Sequence, residues 1–356
     1  MKILFANGRQ TYPLFRGGDG VSIHEILTQL SQDGHEVTVL GKINPITQPP
    51  TSITEVFNKL IKLSIRINKQ KHSLLYQVGN YKAIMSESDF FETDLKNYLG
   101  KNKPDIVLTQ LEDSHKVINI CHSIGVKSIC FIHDHDPLNF QVLNISHKTN
   151  AIIFNSKNTH RHFGQFCKCL NKVIYPGVNF QNYITNKSHN KYLLFINPIN
   201  IKGAQIVNFL INKFPQENFM IVKGWKPMEF KLNNRKNIKV VERSLDMKSV
   251  YSETKLLLVP SQWEEAFGRI IPEAGINKIP SLSSKIGGVP EAVGRGGMLV
   301  DDFANPEAWE NSLKELITDN VLLDKLGKSA YTQAKKFDFN RQYQKLIDTI
   351  NAIYSS

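Results

Sequence analysis

Short apolar runs and segments of helical spacing alternate along the whole chain. Lys2–Ala6 has the pattern of a strand, apolar residues recur at helical spacing from Val21 to Leu30, and Glu36–Leu40 alternates as a second strand. This succession predicts a β-α-β unit, whose crossover is expected to be right-handed. Strands and helices continue to alternate through both halves, and later strands are predicted at Tyr192–Ile196, Ile238–Val241 and Gly297–Val300. We therefore predict an α/β fold with parallel sheets.

The pattern begins again near the middle of the chain, after Pro176-Gly177. Proline and glycine together interrupt regular structure, and 356 residues are more than one compact core usually serves. We therefore predict two domains, 1–177 and 178–338, each a doubly wound parallel sheet, which face each other across a cleft. The amphipathic segment 339–356 is expected to form a helix that crosses back to the first domain.

The stretch from Val259 to Gly288 combines turns and carboxylates in one unit. It leaves a predicted strand, presents Glu264 and Glu265, and enters a helix at Gly268, with Glu273 expected on the second turn of that helix. Carboxylate oxygens accept hydrogen bonds from polyols, so Glu265 can reach a sugar hydroxyl and Glu273 the two ribose hydroxyls of a nucleotide. The alternative is a solvated acidic helix start that only favours the helix dipole.

Two loops carry glycines at predicted helix starts. The segment Asn7–Gly20 contains Gly17-Gly18-Asp19-Gly20, and Lys202-Gly203 precedes a helix in the second half. Backbone N–H groups and the helix dipole attract anions at such places, so the first loop predicts a phosphate cradle and Lys202 a pyrophosphate contact. A flexible surface turn and a solvated lysine are the respective alternatives, since these short motifs are weak on their own.

The cluster His133-Asp134-His135-Asp136 follows a predicted strand. Ligands of open α/β sheets lie beyond the carboxyl ends of the strands, so the cluster is well placed for function. A metal site is one interpretation, although adjacent side chains point to opposite sides and no distant Cys/His set completes it. A polar loop with one functional histidine is the interpretation we favour.

The segment Val56–His72 has a different character. Its apolar residues follow roughly helical spacing, which predicts a helix, and it carries five cations without an acid: Lys59, Lys62, Arg66, Lys69 and Lys71. A basic amphipathic helix of this kind can lie on an anionic membrane. The alternative is a surface helix that packs on its own domain and exposes a solvated basic face.

Composition limits the class of protein. Hydrophobic residues make up 41% and charged residues 21%, as in soluble globular proteins. The apolar runs fall well short of a membrane span, and Met1-Lys2 leads directly into a strand rather than into a signal sequence. We expect a cytoplasmic protein, with peripheral attachment to the inner face of the membrane if 56–72 binds lipid.

Charge and cysteine content add little to this. The net charge of +12 admits a nucleotide sugar, a phospholipid surface or nucleic acid as partner. Nucleic acid is suggested by charge alone, and we expect none. The four cysteines, Cys121, Cys130, Cys167 and Cys169, fit neither a usual zinc spacing nor an easy disulfide. We expect all four to be reduced structural thiols.

Taken in order, these segments resemble the donor-site signature of the retaining glycosyltransferases of family 4, or glycosyl transferases group 1. The resemblance covers nearly the whole chain and implies the GT-B fold, in which two Rossmann-like domains face each other. It is carried by the Gly-Gly loop, His133, Ser156, Pro176-Gly177-Val178-Asn179, Lys202-Gly203, Pro260-Ser261, Glu265-Ala266-Phe267-Gly268, Glu273-Ala274 and Gly287-Gly288-Val289-Pro290-Glu291.

The resemblance implies a role for each matched residue. Lys202 stabilises the leaving diphosphate, Glu265 contacts the donor sugar, Glu273 binds the ribose, His133 contacts the transferred sugar, and Gly18 lets its loop approach the phosphates. The nucleobase falls at Val241–Arg243, and backbone N–H groups of 266–269 hold the sugar. The implied donor-binding set is Gly17, Gly18, Lys202, Val241, Arg243, Glu265, Ala266, Phe267, Gly268, Arg269, Ile270 and Glu273.

One departure from the family pattern concerns the diphosphate. The family usually has Gly-Arg at the start of the loop before Lys202-Gly203, where this chain has Asn197-Pro198. A second cation is therefore missing at that place. We hypothesise that Arg269 supplies it, which makes His133, Lys202, Glu265 and Arg269 the expected catalytic set.

The resemblance implies transfer of a sugar from a nucleoside diphosphate sugar, UDP- or GDP-linked, to an acceptor hydroxyl with retention. It implies no cofactor and no metal. The acceptor, whether a small molecule, a glycan or a lipid-linked sugar, is expected at the loops 7–16, 45–86 and 134–145. A nucleotide-sugar epimerase, a phosphorylase-like enzyme and a non-catalytic nucleotide-sugar binding protein remain alternatives, because fold does not fix function.

Overall fold

The computed structural model describes residues 1–15, 17–44, 50–185, 191–224, 227–229, 236–242 and 246–355. The chain divides into two compact units. The first comprises Met1–Ile174 and Tyr343–Ser356, and the second comprises Tyr175–Gln342. No helix in the described ranges is long and apolar enough to span a bilayer.

The described part of unit 1 holds one sheet of nine strands. The strands are β1 Lys2–Asn7, β2 Glu36–Lys42, β3 Ile67–Lys69, β4 Ser73–Val78, β5 Tyr81–Ser86, β6 Ile106–Gln110, β7 Lys127–Ile132, β8 Ala151–Phe154 and β9 Leu170–Val173. Their order across the sheet is β3-β4-β5-β2-β1-β6-β7-β8-β9. In this order, every neighbouring pair from β5 across to β9 is parallel, whereas β4 is antiparallel to both β3 and β5. The predicted all-parallel sheet is therefore wrong at this edge.

Helices cover both faces of this sheet. They are α1 Gly18–Gln32, α2 Ile53–Lys62, α3 Phe91–Asn102, α4 Ser114–Ile124, α5 Asn139–Leu143 and α6 Lys157–Phe163. Neighbouring residues of α4 serve different cores: Val117 packs with β1 and α3, and Ile118 packs with β7, β8 and α6. The terminal helix belongs to this unit from Tyr343 onward, where Tyr343 donates to Asp33 at 2.6 Å.

The prediction of one basic helix over 56–72 is wrong for the second half of this segment. Helix α2 ends at Lys62, and Ser64 takes a left-handed backbone conformation with φ of 58°. The chain then turns back and pairs β3 with β4, so Arg66, Lys69 and Lys71 do not continue the helix. The β4–β5 hairpin was missed because its alternation is short and lies between charged residues.

Unit 2 holds a sheet of six parallel strands in its described residues. They are β10 Tyr192–Ile196, β11 Asn218–Val222, β12 Ile238–Val241, β13 Thr254–Val259, β14 Ser281–Ser284 and β15 Gly297–Val300, in the order β12-β11-β10-β13-β14-β15. The helices are α7 Ala204–Lys213, α8 Met247–Ser252, α9 Ile270–Gly275, α10 Val289–Val293, α11 Pro306–Thr318 and α12 Asn320–Ala334, and α13 Phe339–Ser355 follows them. The prediction of a doubly wound parallel sheet is confirmed here.

Both faces of this second sheet are buried. Along β10, Leu193 and Phe195 enter one core with Trp309 of α11, and Leu194 enters another with Phe267 and Tyr251. A strand with apolar cores on both sides reads as a continuous apolar run, which is why β10 was predicted with its observed bounds. Such a sheet leaves its carboxyl edge for ligands.

All four cysteines are unpaired. Cys121 and Cys130 are fully buried, and burial raises the pKa of each thiol to about 12. The expectation that the four cysteines form no disulfide is confirmed, and burial of Cys121 and Cys130 agrees with a structural role for these two.

Candidate functional site

The loop between β13 and α9 is fixed by glycines. Gly268 has a φ of 86°, a conformation that side chains with a Cβ rarely adopt. Further on, the N–H of Gly288 donates to the Glu265 carbonyl at 2.7 Å. A Cβ on Gly287 would lie 2.2 Å from that same carbonyl oxygen. The glycines thus allow two backbone segments to approach closely and hold the Glu265 side chain at the carboxyl edge of the sheet.

Glu265 forms an ion pair with Lys202. The carboxylate also accepts from Ser261 at 2.8 Å, and the lysine lies 4.9 Å from the centre of the Trp263 ring. The two charged side chains are 13% and 21% exposed, respectively. Burial alone raises the pKa of Glu265, but the charge and hydrogen bonds of Lys202 and the Ser261 hydroxyl outweigh it, so the net pKa is lowered.

Lys202 reaches this position because of the turn that precedes α7. It ends a short 3₁₀ turn, and Gly203 follows with a φ of 85°. A Cβ on Gly203 would lie 2.0 Å from the Pro260 carbonyl. Glycine is therefore required for the turn after β10 to pack against the turn after β13.

The departure at Asn197 has a backbone explanation. Asn197 adopts a φ of 63°, and asparagine is one of the few residues other than glycine that enters this region readily. Its side chain packs against Gly224. A Cβ on Gly224 would lie 1.8 Å from the side-chain oxygen of Asn197. Asparagine thus preserves the turn but supplies no positive charge after β10.

Glu273 forms a second ion pair, with Arg269. Nε of Arg269 donates to Oε1 of Glu273 at 2.9 Å, and the phenol of Tyr251 donates to Oε2 at 3.0 Å. The paired side chains are only 8% and 9% exposed. The sequence predicted Glu273 in the second turn of the helix. It lies in the first turn of α9, because the helix begins at Ile270.

The structure describes four further predicted donor residues of unit 2, at different distances along the chain from the two pairs: Val241, Ala266, Phe267 and Ile270. Ala266 and Phe267 are buried beside Glu265, and Ile270 opens α9 and packs on the core. Val241 ends β12, where its carbonyl accepts from the Lys223 N–H at 2.9 Å. Arg243 lies outside the described residues.

In unit 1, His133 follows β7 and forms a chain of contacts. Its Nε2 lies 2.9 Å from Oε1 of Gln110, and the Gln110 amide nitrogen lies 3.5 Å from the Asp19 carboxylate, which pairs with Arg9. A carboxylate only accepts, so the Gln110 NH₂ faces Asp19 and its oxygen faces the imidazole. Nε2 of His133 is therefore the protonated nitrogen. Burial lowers the pKa of His133, and the Asp19 charge partly opposes this.

The Gly-Gly motif lies at the start of α1 rather than in the loop before it. Gly17 is the N-cap and Gly18 the first helical residue, three positions before the predicted start at Val21. A Cβ on Gly17 would clash with the Phe15 ring at 2.6 Å, whereas Gly18 faces open space. The close approach of a ligand to Gly18 stays a prediction.

The acidic members of the His133–Asp136 cluster cap the next turn. Asp134 accepts from the Asn139 amide at 2.9 Å, and Asp136 accepts from the Leu138 N–H at 2.8 Å. His135 lies 3.2 Å from the Thr159 hydroxyl. In the ranges that the structure describes, no group of three or more His, Cys, Asp or Glu residues is arranged to hold a metal ion.

Sequence reasoning missed the neighbours of the predicted residues. Gln110 ends β6 and His133 directly follows β7, and the two strands are adjacent, so their shared edge was a usable signal. Tyr251 belongs to α8 and meets Glu273 across the core. No local pattern in the sequence indicates that contact.

Two family models match the chain. The model described as Glycosyltransferase Family 4 matches residues 16–182, and the model described as Glycosyl transferases group 1 matches residues 225–333. Together they span most of the chain.

Curated relatives match over parts of their length. Spore coat protein SA of Bacillus subtilis is 26% identical over 111 residues, which is 31% of this chain and 29% of that protein. D-inositol 3-phosphate glycosyltransferase of Corynebacterium diphtheriae is 22% identical over 274 residues, which is 67% of this chain and 62% of that protein. The matches thus span about a third to three fifths of these relatives.

Solved structures match the whole fold. Sucrose-phosphate synthase from Thermosynechococcus elongatus has a TM-score of 0.73 at 13% identity, and each chain is covered fully. HepE from Anabaena in complex with UDP has a TM-score of 0.74 at 17% identity, with 99% of this chain and 100% of that chain covered. Both likenesses concern the fold. The two family models show that the chain belongs to the family 4, group 1 glycosyltransferases, and the solved structures show that it has the GT-B fold.

Proposed function

We propose that this protein transfers a sugar from a nucleoside diphosphate sugar to an acceptor hydroxyl, with retention of anomeric configuration and without a metal ion. The observation that carries the proposal is the ion pair of Lys202 and Glu265 at the carboxyl edge of the second sheet. This edge is where ligands of open α/β sheets bind. The pair offers a cation for a phosphate and a carboxylate for sugar hydroxyls within one contact.

The partial exposure of this pair supports a role in binding. A ligand can displace Lys202 from Glu265 at a lower cost than it could separate Arg269 from Glu273, because both side chains of the first pair retain some contact with solvent. The ordered turn at Gly203 fixes the backbone while the lysine side chain remains long and rotatable. Lys202 can therefore follow the charge that develops on a departing diphosphate.

In the proposed reaction, the bond between the anomeric carbon and the diphosphate oxygen breaks, and both electrons leave with the diphosphate. The acceptor oxygen bonds to the same face of the sugar, and the acceptor proton passes to the diphosphate. Lys202 stabilises the leaving group, which is the kind of electrostatic assistance that lowers such barriers most. Glu265 orients the sugar hydroxyls, and the role that the family resemblance implies for His133 stays a prediction.

The donor is expected to be a UDP-linked or GDP-linked sugar. Solved relatives of the same fold include HepE in complex with UDP-glucose, at 18% identity. The relatives named D-inositol 3-phosphate glycosyltransferase support a hydroxyl acceptor. These likenesses support the class of donor and leave the sugar, the acceptor and the linkage to experiment.

Thermal shifts followed by product analysis test the proposal. We expect UDP or GDP and one of their sugars to raise the melting temperature, because a ligand of the native state stabilises it. Incubation of that donor with acceptor pools should yield a glycosylated product with the donor's anomeric configuration. Free altered nucleotide sugar would instead favour an epimerase, and binding without turnover would favour a binding protein.

A second proposed property is contact with an anionic membrane through Ile61–Lys71. Ile61 and Leu63 are 53% and 37% exposed, although large apolar side chains are usually buried. This stretch contains no acid. Four exposed cations accompany the two apolar side chains: Lys62, Arg66, Lys69 and Lys71. Lys59, by contrast, donates to the Leu14 carbonyl at 2.8 Å and belongs to the unit itself.

Liposome sedimentation tests the membrane contact. Replacing Lys62, Arg66 and Lys69 with alanine should greatly weaken binding to anionic vesicles, because each cation near such a surface contributes about 1 kcal/mol. Replacing Lys96, Lys101 and Lys103, exposed cations in α3 and directly after it, removes the same charge; it serves as the matched control and should change binding little. Equal binding by both variants would exclude this surface.

A further inference from the structure

We infer that Arg269 and Tyr251 position Glu273 for the two neighbouring ribose hydroxyls of the donor, so that the preference for a ribonucleotide over a deoxyribonucleotide depends on them. The inference rests on the proposed function, because it concerns how the nucleotide part of the donor is recognised. It assigns Arg269 to the ribose and not to the diphosphate, contrary to the hypothesis drawn from the sequence.

The carboxylate of Glu273 is held by donors on both oxygens. Arg269 Nε donates to Oε1 at 2.9 Å, and the Tyr251 phenol donates to Oε2 at 3.0 Å. Arg269 and Glu273 lie four residues apart on one helix face, whereas Tyr251 comes from α8. The plane of the carboxylate is thus fixed by two elements. A carboxylate has about four lone-pair sites, so two such bonds orient it without exhausting its capacity to accept.

Burial explains why the arginine stays with this carboxylate. The side chains of Arg269 and Glu273 are 8% and 9% exposed, and the Tyr183 hydroxyl lies 3.4 Å from the other end of the guanidinium. Removing a cation from a buried carboxylate leaves an uncompensated charge, which is strongly unfavourable. In this arrangement Nε of Arg269 is engaged by Glu273 and the other end of the guanidinium by Tyr183, which assigns its charge to the Glu273 carboxylate. Separation of the Lys202–Glu265 pair costs less, because both of its side chains are more exposed.

A fixed carboxylate is what a vicinal diol requires. Two neighbouring hydroxyls present two donors at a set separation, and an acceptor that rotates loses part of its binding energy in becoming ordered. Hydrogen bonds to a charged group are also stronger than those between neutral groups. A Glu273 held by Arg269 and Tyr251 therefore distinguishes a ribose from a sugar that lacks one of the hydroxyls.

The two roles of Arg269 predict different ratios of affinity. If Arg269 acts through Glu273, its loss lowers the preference for UDP over 2′-deoxy-UDP. If Arg269 binds the diphosphate, its loss lowers the preference for UDP over uridine and leaves the ribose preference intact. GDP, 2′-deoxy-GDP and guanosine replace these probes if GDP is the nucleotide that stabilises the protein.

The test is calorimetric titration of the full chain with the three probes. We expect the parent protein to bind UDP about tenfold more tightly than 2′-deoxy-UDP, the usual worth of a hydrogen bond to a charged group. Arg269→Met should reduce this ratio to about twofold or less, and Arg269→Lys, which keeps the countercharge, should restore most of it. Lys202→Met is the matched control: it should lower the UDP-to-uridine ratio and leave the ribose preference unchanged.

Tyr251→Phe keeps the test decisive if Arg269→Met does not fold. This substitution removes one donor to Glu273 without changing charge or shape, and we expect it to reduce the ribose preference about threefold. An unchanged ribose preference in Tyr251→Phe, or in a folded Arg269→Met, would overturn the inference. Failure of the parent protein to bind any nucleotide would overturn the proposed function and the inference with it, which is a different outcome.

Discussion

Two carboxylates on one loop-and-helix segment are each paired with a cation, yet the pairs are built differently. Glu265 meets Lys202 across 63 positions of sequence, and the fold of two separate turns brings them together. Glu273 meets Arg269 across four positions, within one helix turn. The first pair exists only because the sheet places two turns side by side, whereas the second is local.

Their surroundings differ in the opposite sense. The long-range pair is 13% to 21% exposed and lies beside the exposed Trp263, whereas the local pair is below 10% exposed and is covered by two tyrosines. A partly exposed pair can exchange its partner for a ligand, but a buried pair resists separation. Similar chemistry thus gives a pair suited to reaction and a pair suited to holding a binding group in place.

The largest effect expected from this comparison is on stability. Arg269→Met leaves the Glu273 carboxylate buried without a countercharge, so we expect a loss of about 3–5 kcal/mol in the free energy of unfolding. Lys202→Met should cost less, about 1–2 kcal/mol, between the values for exposed and buried pairs. Urea denaturation of both variants and the parent protein measures the difference.

The double variant Arg269→Met/Glu273→Gln separates charge from packing. It removes the uncompensated charge together with the arginine, so it should recover a large part of the stability that Arg269→Met loses. Equal losses for Arg269→Met and Lys202→Met would show that the two pairs do not differ as their burial indicates.

The next effect concerns turnover. Lys202→Met should reduce the transfer rate about 10²- to 10³-fold, the usual cost of removing one group that stabilises developing charge. Lys213→Met is the control, since Lys213 ends α7, the helix that follows Lys202, and pairs with Glu310 on the surface. Initial rates at saturating donor measure the change. A loss of only a few-fold in Lys202→Met would assign the leaving group to another cation.

Much of the fold followed from the sequence because its signals are local. The strands Tyr192–Ile196, Ile238–Val241 and Gly297–Val300 were predicted with their observed bounds. The buried parallel strand β10 stands out as an apolar run, and glycines mark the turns around it. The paired carboxylates at 265 and 273 were recognisable because the motif that carries them is contiguous.

The parts that escaped prediction depend on contacts between distant segments. The second half of 56–72 leaves the helix because β3 pairs with β4, and a helical spacing pattern does not reveal that pairing. The sequence-based hypothesis that Arg269 binds the diphosphate stays a prediction; it uses the charge, which is visible in the sequence, whereas the ribose proposal uses the burial beside Tyr251 and Tyr183, which is not. Tertiary burial decides which partner a charge keeps, and only the structure provides it.

The smallest effect expected is a pH dependence of stability that arises from the partly exposed pair, Lys202 and Glu265. The folded state lowers the pKa of Glu265, so its ionised form stabilises the protein above the ordinary carboxyl pKa. That contribution is lost as the pH falls from the ordinary carboxyl pKa through the lowered folded-state pKa, because the unfolded state takes up the proton before the folded state does. Glu265→Gln should therefore be less stable than the parent protein at about pH 7, and the difference should shrink toward about pH 3.

The Lys202→Met background makes this prediction sharper. Burial raises the pKa of Glu265, and Lys202 is the largest factor that lowers it. Without the lysine, the largest interaction that offsets the cost of burying the ionised carboxyl is lost. Glu265→Gln should therefore be neutral or stabilising near neutral pH. Thermal unfolding of the four proteins from about pH 3 to pH 7 measures this. If Glu265→Gln destabilised both backgrounds equally, Lys202 would not be the group that keeps Glu265 ionised, and the exposed pair would not be the exchangeable one.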